Sequence, residues 1–163
     1  MRLACRGGHG SGATIVAVRI RPPILLALFL ALGFLANWLR PLGFLSPRMS
    51  AVAGPVLTFG ALGLFAWAVR TMRSVGESPP PTVPTKTIVV GGPYRYSRNP
   101  IYVAMVSLQA GVGLWANGLW FLALAAIFAL IIARRVVAGE EEYLERTLGS
   151  EYASYRARVR RWI

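Results

Sequence analysis

The sequence predicts an all-α integral membrane protein with about four transmembrane helices. The chain is 55% hydrophobic and only 15% charged, whereas soluble domains are roughly 45–50% apolar and about 25% charged. The apolar residues form long uncharged runs, and the charges fall between and after them. At 163 residues the chain is long enough for one domain.

The first half of the chain contains two such runs. Residues 22–39 carry no charge, and residues 51–69 form a second uncharged run. A helix that spans a bilayer needs about 20 apolar residues, so each run predicts one transmembrane helix. The loop between them, residues 40–50, is marked by Pro41 and Pro47.

A third uncharged run, residues 101–133, is too long for one span. As a single helix it would be roughly 50 Å long, against a hydrocarbon core of about 30 Å. Two short helices that fold back on each other fit better. Asn117-Gly118 is a turn signal, so we expect the turn at residues 115–118.

The distribution of basic residues supports four spans. With four spans, Arg40 and Arg48 lie on one side of the membrane and the other sixteen Arg and Lys residues lie on the opposite side. Basic residues concentrate in cytoplasmic loops, so both termini and the polar segment 70–99 are predicted to be cytoplasmic. A single span over 101–133 would give a much poorer charge bias.

The net charge of +12 comes almost entirely from arginine, with seventeen Arg and one Lys. A charge of this size also suits a nucleic-acid-binding protein. The apolar runs argue against nucleic acid, and anionic lipid headgroups are the better counter-charge. We expect a bacterial inner-membrane location, with membrane lipids as partners.

The C-terminal tail is predicted to be helical and amphipathic from Gly139. Gly149 can end one helix and Ser150 can cap the next. Beyond that point, aromatic and apolar residues alternate with arginines, which suits a helix lying on the cytoplasmic leaflet. The residues concerned are Tyr152, Tyr155, Val159 and Trp162, with Arg156, Arg158, Arg160 and Arg161.

Two polar segments flank the third run and are the candidates for chemistry. Residues 91–102 are rich in Tyr and Arg, and residues 140–142 are three consecutive glutamates. Taken alone, the first could be a Tyr and Arg belt at the membrane interface, and the second a solvated helix start favoured by the helix dipole. Together they favour a site at the membrane surface. Cys5 and His9 are the single Cys and His of the chain, so no metal site is predicted.

These segments carry a family resemblance over residues 70–163. The patterns are Gly-Pro-Tyr-Arg-x-x-Arg-Asn-Pro-x-Tyr at 92–102, Glu-Glu-x-x-Leu at 140–144 and Gly-x-x-Tyr-x-x-Tyr-x-x-x-Val at 149–159. In this order, around a hydrophobic hairpin, they resemble the isoprenylcysteine carboxyl methyltransferase family, to which phospholipid N-methyltransferases are related. The charge pattern and apolar runs give a basic tail (1–21) and two transmembrane helices (22–69), and the resemblance adds a methyltransferase core (70–163), as in a bacterial-type member.

The resemblance implies an S-adenosylmethionine-dependent methyltransferase that lacks a Rossmann domain. The cofactor would lie in a cytoplasmic pocket, and a lipophilic or lipidated substrate would enter from the bilayer. Rings can face the sulfonium cation or stack on adenine, and Glu can accept hydrogen bonds from the ribose or the ammonium group. The implied cofactor-binding residues are Lys86, Thr87, Ile88, Val89, Tyr94, Asn99, Pro100, Ile101, Tyr102, Glu140 and Glu141.

The resemblance is less definite about the acceptor. Asn99 stands where eukaryotic members usually have His, and the position of their substrate-contacting Arg falls nearest Val136. Arg135, or its neighbour Arg134, is the candidate replacement, and Arg98 is the second candidate catalytic residue. Carboxyl O-methylation is the expected reaction. The alternative is a membrane protein that retains the fold but is non-catalytic or uses a different cofactor.

Overall fold

The computed structural model describes residues 21–76 and 87–163. All regular secondary structure in these residues is helical. Most of the predicted basic tail and Lys86 lie outside the described residues. The elements are α1 (Pro22–Leu39), α2 (Pro47–Ser74), a 3₁₀ helix (Gly92–Arg95), α3 (Pro100–Trp115), α4 (Leu119–Ile131), a π-helix (Ile132–Val137) and α5 (Ala138–Arg158).

Three of these helices are long and apolar enough to cross a membrane. They are α1, α2 and the continuous helix Leu119–Arg158, which comprises α4, the π-helix and α5. Helix α3 is apolar but has only 16 residues. The prediction of an all-α integral membrane protein with about four spans is confirmed.

Helix α1 has the predicted bounds, whereas α2 is longer than the predicted span 51–69. Its 28 residues make a helix of about 42 Å. It begins early because Ser46 caps it, the side chain accepting a bond from Met49 N at 3.4 Å, and because Pro47 suits the first helical position. At its other end it continues beyond the apolar run through Arg70 and Arg73.

Helices α2 and α3 pack closely because glycines line their contact. A side chain at Gly54 would overlap the backbone of Trp115, and one at Gly111 would come within 2.7 Å of Thr58. Ser50 Oγ also donates to the Trp115 carbonyl at 3.1 Å. Small residues let membrane helices approach in this way, and the contact fixes α3 against α2.

The turn between α3 and α4 lies where the sequence predicts it. Asn117 has a positive φ of 47° and its side chain joins the turn to the loop between α1 and α2. Its Oδ1 accepts from Phe44 N at 3.0 Å and from Leu45 N at 2.8 Å, while Nδ2 donates to Leu45 O at 2.9 Å. One amide thus ties together both loops at this end of the bundle.

At the opposite end, α5 and residues 87–99 lie together, and we call this the loop end of the bundle. An apolar core lies between α1, α3 and α4 and extends to the loop end. Its buried residues include Leu26, Phe29, Tyr102, Met105, Phe128 and Ile132. Tyr102 belongs to this core and lies within the first turn of α3. The core therefore fixes where the Tyr102 ring points.

The tail departs from its prediction after Gly149. Gly149 interrupts α5 with φ 49° and ψ −119°, as the sequence suggests, but the helix then ends at Arg158. The predicted leaflet helix is wrong for the last residues, because Arg161 pairs with Glu141 and Trp162 packs against the apolar core. Tyr152 and Tyr155 are also buried within the protein.

Candidate functional site at the loop end

The segment before α3 is held against the end of α2. Val89 is buried with Ala68 and Tyr94, so this apolar side chain anchors the segment on α2. Gly92 turns the chain with φ 54°, and a Cβ there would lie 2.5 Å from Thr71 Oγ1. Only glycine tolerates both the positive φ and the lack of space for a Cβ. This explains why glycine stands at the start of the 92–102 pattern.

Tyr94 and Asn99 connect this segment to the tail. The Tyr94 carbonyl accepts a bond from the Tyr155 hydroxyl at 2.8 Å, and burial raises the pKa of the Tyr94 phenol, which keeps it neutral. Asn99 Nδ2 donates to the Arg161 carbonyl at 3.0 Å. The Asn99 carbonyl accepts from Tyr102 N at 3.1 Å, and Pro100 occupies the first position of α3.

The central contact of the site joins Tyr102 to Glu140. The Tyr102 hydroxyl donates to Glu140 Oε1 at 2.7 Å. Tyr102 is buried and Glu140 is half-buried. A carboxylate has about four lone-pair sites, so Glu140 retains capacity for further donors or a cation. The contact joins α3 to α5 across 38 residues of sequence.

Glu141 lies in a different environment, between two arginines. Arg98 Nη1 lies 3.0 Å from Glu141 Oε1, with both side chains more than nine-tenths buried. Arg161 Nε donates to Oε1 at 3.2 Å, and Arg161 Nη2 pairs with Oε2. Arg98 Nη1 also lies 3.4 Å from the Tyr152 hydroxyl. This carboxylate therefore holds the Arg98 loop and the end of the chain together.

The remaining predicted site residues differ in how close they come to this cluster. Ile101 is half-buried and packs on the core and on the Val89 cluster, Ile88 is half-buried, and Thr87 is exposed. Arg135 is exposed on the π-helix and does not join the cluster among the contacts of the described residues. Glu142 is also exposed and pairs with Arg146 at 2.9 Å.

Four residues of the cluster were not predicted as site residues, and one of them is Tyr152 beside Arg98. Arg161 binds Glu141, Tyr155 binds the Tyr94 carbonyl, and Ser97 Oγ accepts from Asn99 N at 3.1 Å. The Tyr-x-x-Tyr spacing is a signal that could have pointed to Tyr155, because it places Tyr152 and Tyr155 on one helix face. Arg161 has no such signal, since it lies beyond the helix.

The fold and the site define a helical integral membrane protein with a buried polar cluster at one end of its bundle. The sequence profile of the phospholipid methyltransferase family matches residues 49–151, more than half of the chain. The chain belongs to this family and is a membrane methyltransferase. The matched region contains Tyr94, Tyr102 and Glu140 and ends before Arg161. The predicted family relationship is confirmed.

The chain is also similar to a much shorter bacterial protein. An uncharacterized protein of Haemophilus influenzae is 38% identical over 64 residues, which are 39% of this chain and the whole of that protein. No solved structure matches the chain significantly.

Proposed function

We propose that the protein transfers a methyl group from S-adenosylmethionine to a lipophilic acceptor at the loop end of the bundle. The observation that carries this proposal is the Tyr102–Glu140 pair. A phenol and a carboxylate meet at 2.7 Å at the end of an apolar core, inside the region matched by a methyltransferase family. A hydrogen-bonded carboxylate is not needed for a helix to cross a membrane, so the pair points to a ligand.

The side chains at this site suit the cofactor. When bound, S-adenosylmethionine supplies an electrophilic methyl group on a sulfonium cation. Glu140 offers a carboxylate that can accept hydrogen bonds from ribose hydroxyls or the ammonium group. The Tyr102 and Tyr94 rings offer faces for the cation or for adenine, and both are buried.

Methyl transfer requires little from the protein beyond binding the cofactor and the acceptor. The acceptor forms a bond to the methyl carbon as the carbon–sulfur bond breaks, and this displacement depends on positioning and the exclusion of water. The apolar core around Tyr102 excludes water from one side of the site. No acid–base dyad is needed, which suits a chain with no Asp and one His.

The acceptor we propose is a carboxyl group on a lipid-like molecule, as in isoprenylcysteine methyltransferases. Arg98 and Arg135 are the proposed acceptor contacts, because Arg binds carboxylates in a fork geometry. Arg98 already neutralises Glu141, whereas Arg135 is exposed at the end of the apolar helix. The family match favours a second candidate, the amine of a phospholipid.

Calorimetric titration tests the cofactor assignment. Purified protein in uncharged detergent is titrated with S-adenosylmethionine and S-adenosylhomocysteine, beside Glu140→Ala and the matched control Glu142→Ala. We expect micromolar binding to the wild type and to the control, and at least a tenfold loss in Glu140→Ala. Well-folded wild type that binds neither compound would contradict the proposal and favour a non-catalytic protein or one with a different cofactor.

Methyl transfer then distinguishes the acceptors. Protein is incubated with methyl-labelled S-adenosylmethionine and either S-farnesylcysteine or phosphatidylethanolamine vesicles, and label in the lipid phase is counted. Base-labile label in the first arm indicates a carboxyl methyl ester. Base-stable label confined to the second arm would overturn carboxyl methylation and support the phospholipid amine.

A further inference from the structure

The cluster around Glu141 carries more positive than negative charge. One carboxylate is shared by Arg98 and Arg161. The Arg98 and Glu141 side chains are only 9% and 8% exposed, so these two neutralise each other inside the protein. The surplus charge therefore belongs to Arg161, whose side chain is 42% exposed and can reach a ligand.

Arg161 is fixed in place but keeps donors to offer. Its carbonyl accepts from Asn99 Nδ2 at 3.0 Å and from Ser97 Oγ at 3.4 Å, and the next residue, Trp162, packs on the apolar core. Its contacts to Glu141 use Nε and Nη2. A guanidinium has five N–H donors in a planar fork, so the Nη1 donors are not used by Glu141.

This positive group is bound to Glu141, the residue that directly follows the negative group of the site, Glu140, in α5. Glu140 and Glu141 are consecutive in α5, and their partners are four residues apart, with Tyr102 in the first turn of α3 and Arg98 just before that helix. The Tyr102–Glu140 pair and the Arg98–Glu141–Arg161 cluster are thus neighbours. A carboxylate beside a surplus guanidinium is complementary to a zwitterion, in which an ammonium and a carboxylate share one carbon atom.

We propose that Arg161 binds the carboxylate of the amino-acid end of S-adenosylmethionine, while Glu140 binds its ammonium group. This proposal rests on the proposed function. It extends the cofactor site to the last three residues of the chain, beyond the region matched by the family. A guanidinium binds oxyanions in general, and a lipid phosphate is an oxyanion as well as the cofactor's carboxylate. The test therefore has to separate these two ligands.

Binding of three ligands that differ at the amino-acid end tests the proposal. Titrations in uncharged detergent compare S-adenosylmethionine, decarboxylated S-adenosylmethionine and methylthioadenosine, which lacks the whole amino-acid end. We expect the wild type to prefer the complete cofactor over the decarboxylated form by at least tenfold. Arg161→Gln should lose that preference and retain its affinity for the other two ligands, while Arg161→Lys should recover part of it.

Arg158→Gln is the matched control, because Arg158 is exposed near the same end of the chain and should keep the preference. If the wild type binds the complete and decarboxylated forms equally, the role of Arg161 is overturned while the proposed function stands. If Arg161→Gln weakens all three ligands equally, Arg161 is only structural, and the proposal fails. Binding of no ligand by the wild type contradicts the proposed function itself.

Adding phosphatidylglycerol tests whether Arg161 binds a lipid phosphate instead of the cofactor's carboxylate. Adding it to the detergent should leave the preference of the wild type for the complete cofactor unchanged. If the wild type shows no preference for the complete cofactor but binds phosphatidylglycerol more tightly than Arg161→Gln does, then Arg161 binds a lipid phosphate and the cofactor assignment is overturned.

Discussion

Three consecutive glutamates in α5 have three different surroundings. Glu140 accepts a bond from a buried phenol, Glu141 lies between two arginines, and Glu142 is exposed beside Arg146. Consecutive residues on an α-helix point about 100° apart, so adjacent side chains of the same type face different neighbours. Only Glu140 combines burial with remaining capacity to accept hydrogen bonds, and it is therefore the residue we assign to the ligand.

Glu141 is expected to contribute mainly to stability. Glu141→Gln leaves Arg98 buried without its carboxylate, and breaking a buried ion pair costs about 3 kcal/mol. Glu142→Gln should change stability by less than about 0.5 kcal/mol, because its ion pair is exposed. Thermal unfolding in detergent measures both. Equal transition temperatures for the two variants would show that the Arg98–Glu141 pair contributes nothing.

Gly91 and Gly92 form a matched pair for testing the turn before α3. Gly92→Ala forces an L-residue into the left-handed region, which costs roughly 1–2 kcal/mol, and pushes on Thr71. Gly91 has φ −91°, and a Cβ there would meet Thr71 at an ordinary 3.7 Å. Gly92→Ala should lower the unfolding temperature and Gly91→Ala should not. The same loss in both variants would contradict the role of the positive φ.

At the scale of elements, the π-helix explains how α4 and α5 keep one buried face. Along this helix the residues Phe121, Ala125, Phe128, Ile132, Val137 and Glu141 are buried. Successive members are three or four residues apart, except that Ile132 and Val137 are five apart. In an α-helix, residues five apart point about 140° apart. The π-helix absorbs the extra residue, so the carboxylates of α5 still face Tyr102 and Arg98.

Changing the number of residues in the π-helix tests this account. Deleting Arg134 leaves a spacing of four, which an α-helix accommodates, so cofactor binding should stay within about threefold of the wild type. Inserting one Ala after Arg134 should turn α5 by about 100° and abolish the Glu140 and Glu141 contacts, with at least a tenfold loss of binding. Calorimetric titration measures both variants. A deletion as damaging as the insertion would disprove the account.

At the scale of the whole molecule, the described interior of the bundle contains buried polar atoms without partners, and Gln109 is the most deeply buried residue that carries them. Gln109 is fully buried on α3, on the same helix face as Tyr102 and Met105. Neither polar atom of its amide has a partner among the described residues. An unsatisfied buried polar group costs about 1–3 kcal/mol.

Replacement of Gln109 by an apolar residue of similar size should therefore stabilise the protein. Gln109→Leu is expected to raise the thermal unfolding temperature in detergent, whereas Gln109→Glu should lower it because a buried carboxyl is harder to accommodate. A lower unfolding temperature for Gln109→Leu would contradict the view that the amide is an unsatisfied buried group.

The orientation of the bundle follows from its charges. The loop end carries most of the arginines and the opposite end carries Arg40 and Arg48, so the loop end is predicted to be cytoplasmic. In a Cys5→Ser background, Phe44→Cys should react with a membrane-impermeant maleimide in intact spheroplasts. Ser154→Cys should react only after permeabilisation. The reverse pattern would place the site on the outer face.

Much of the fold was predictable because it depends on local properties. The bounds of α1 follow from an uncharged run that begins at a proline, and the α3–α4 turn follows from Asn117-Gly118. The extra turns of α2 were not predictable from apolarity, because a cap at Ser46 and a charged extension are polar features. The last residues were predicted wrongly, because alternating Arg and aromatic residues suit a membrane surface as well as a docked tail.

The sequence by itself determined the class of protein, the positions of its spans, its family and the segments that carry the site. These properties depend on run length, charge and short motifs, all of which are local. Only the tertiary structure decided that Glu140 meets Tyr102, that Glu141 is held by Arg98 and Arg161, and that a π-helix sets their direction. Those outcomes depend on helix phase and on contacts between residues 20 to 43 positions apart, which no local pattern records.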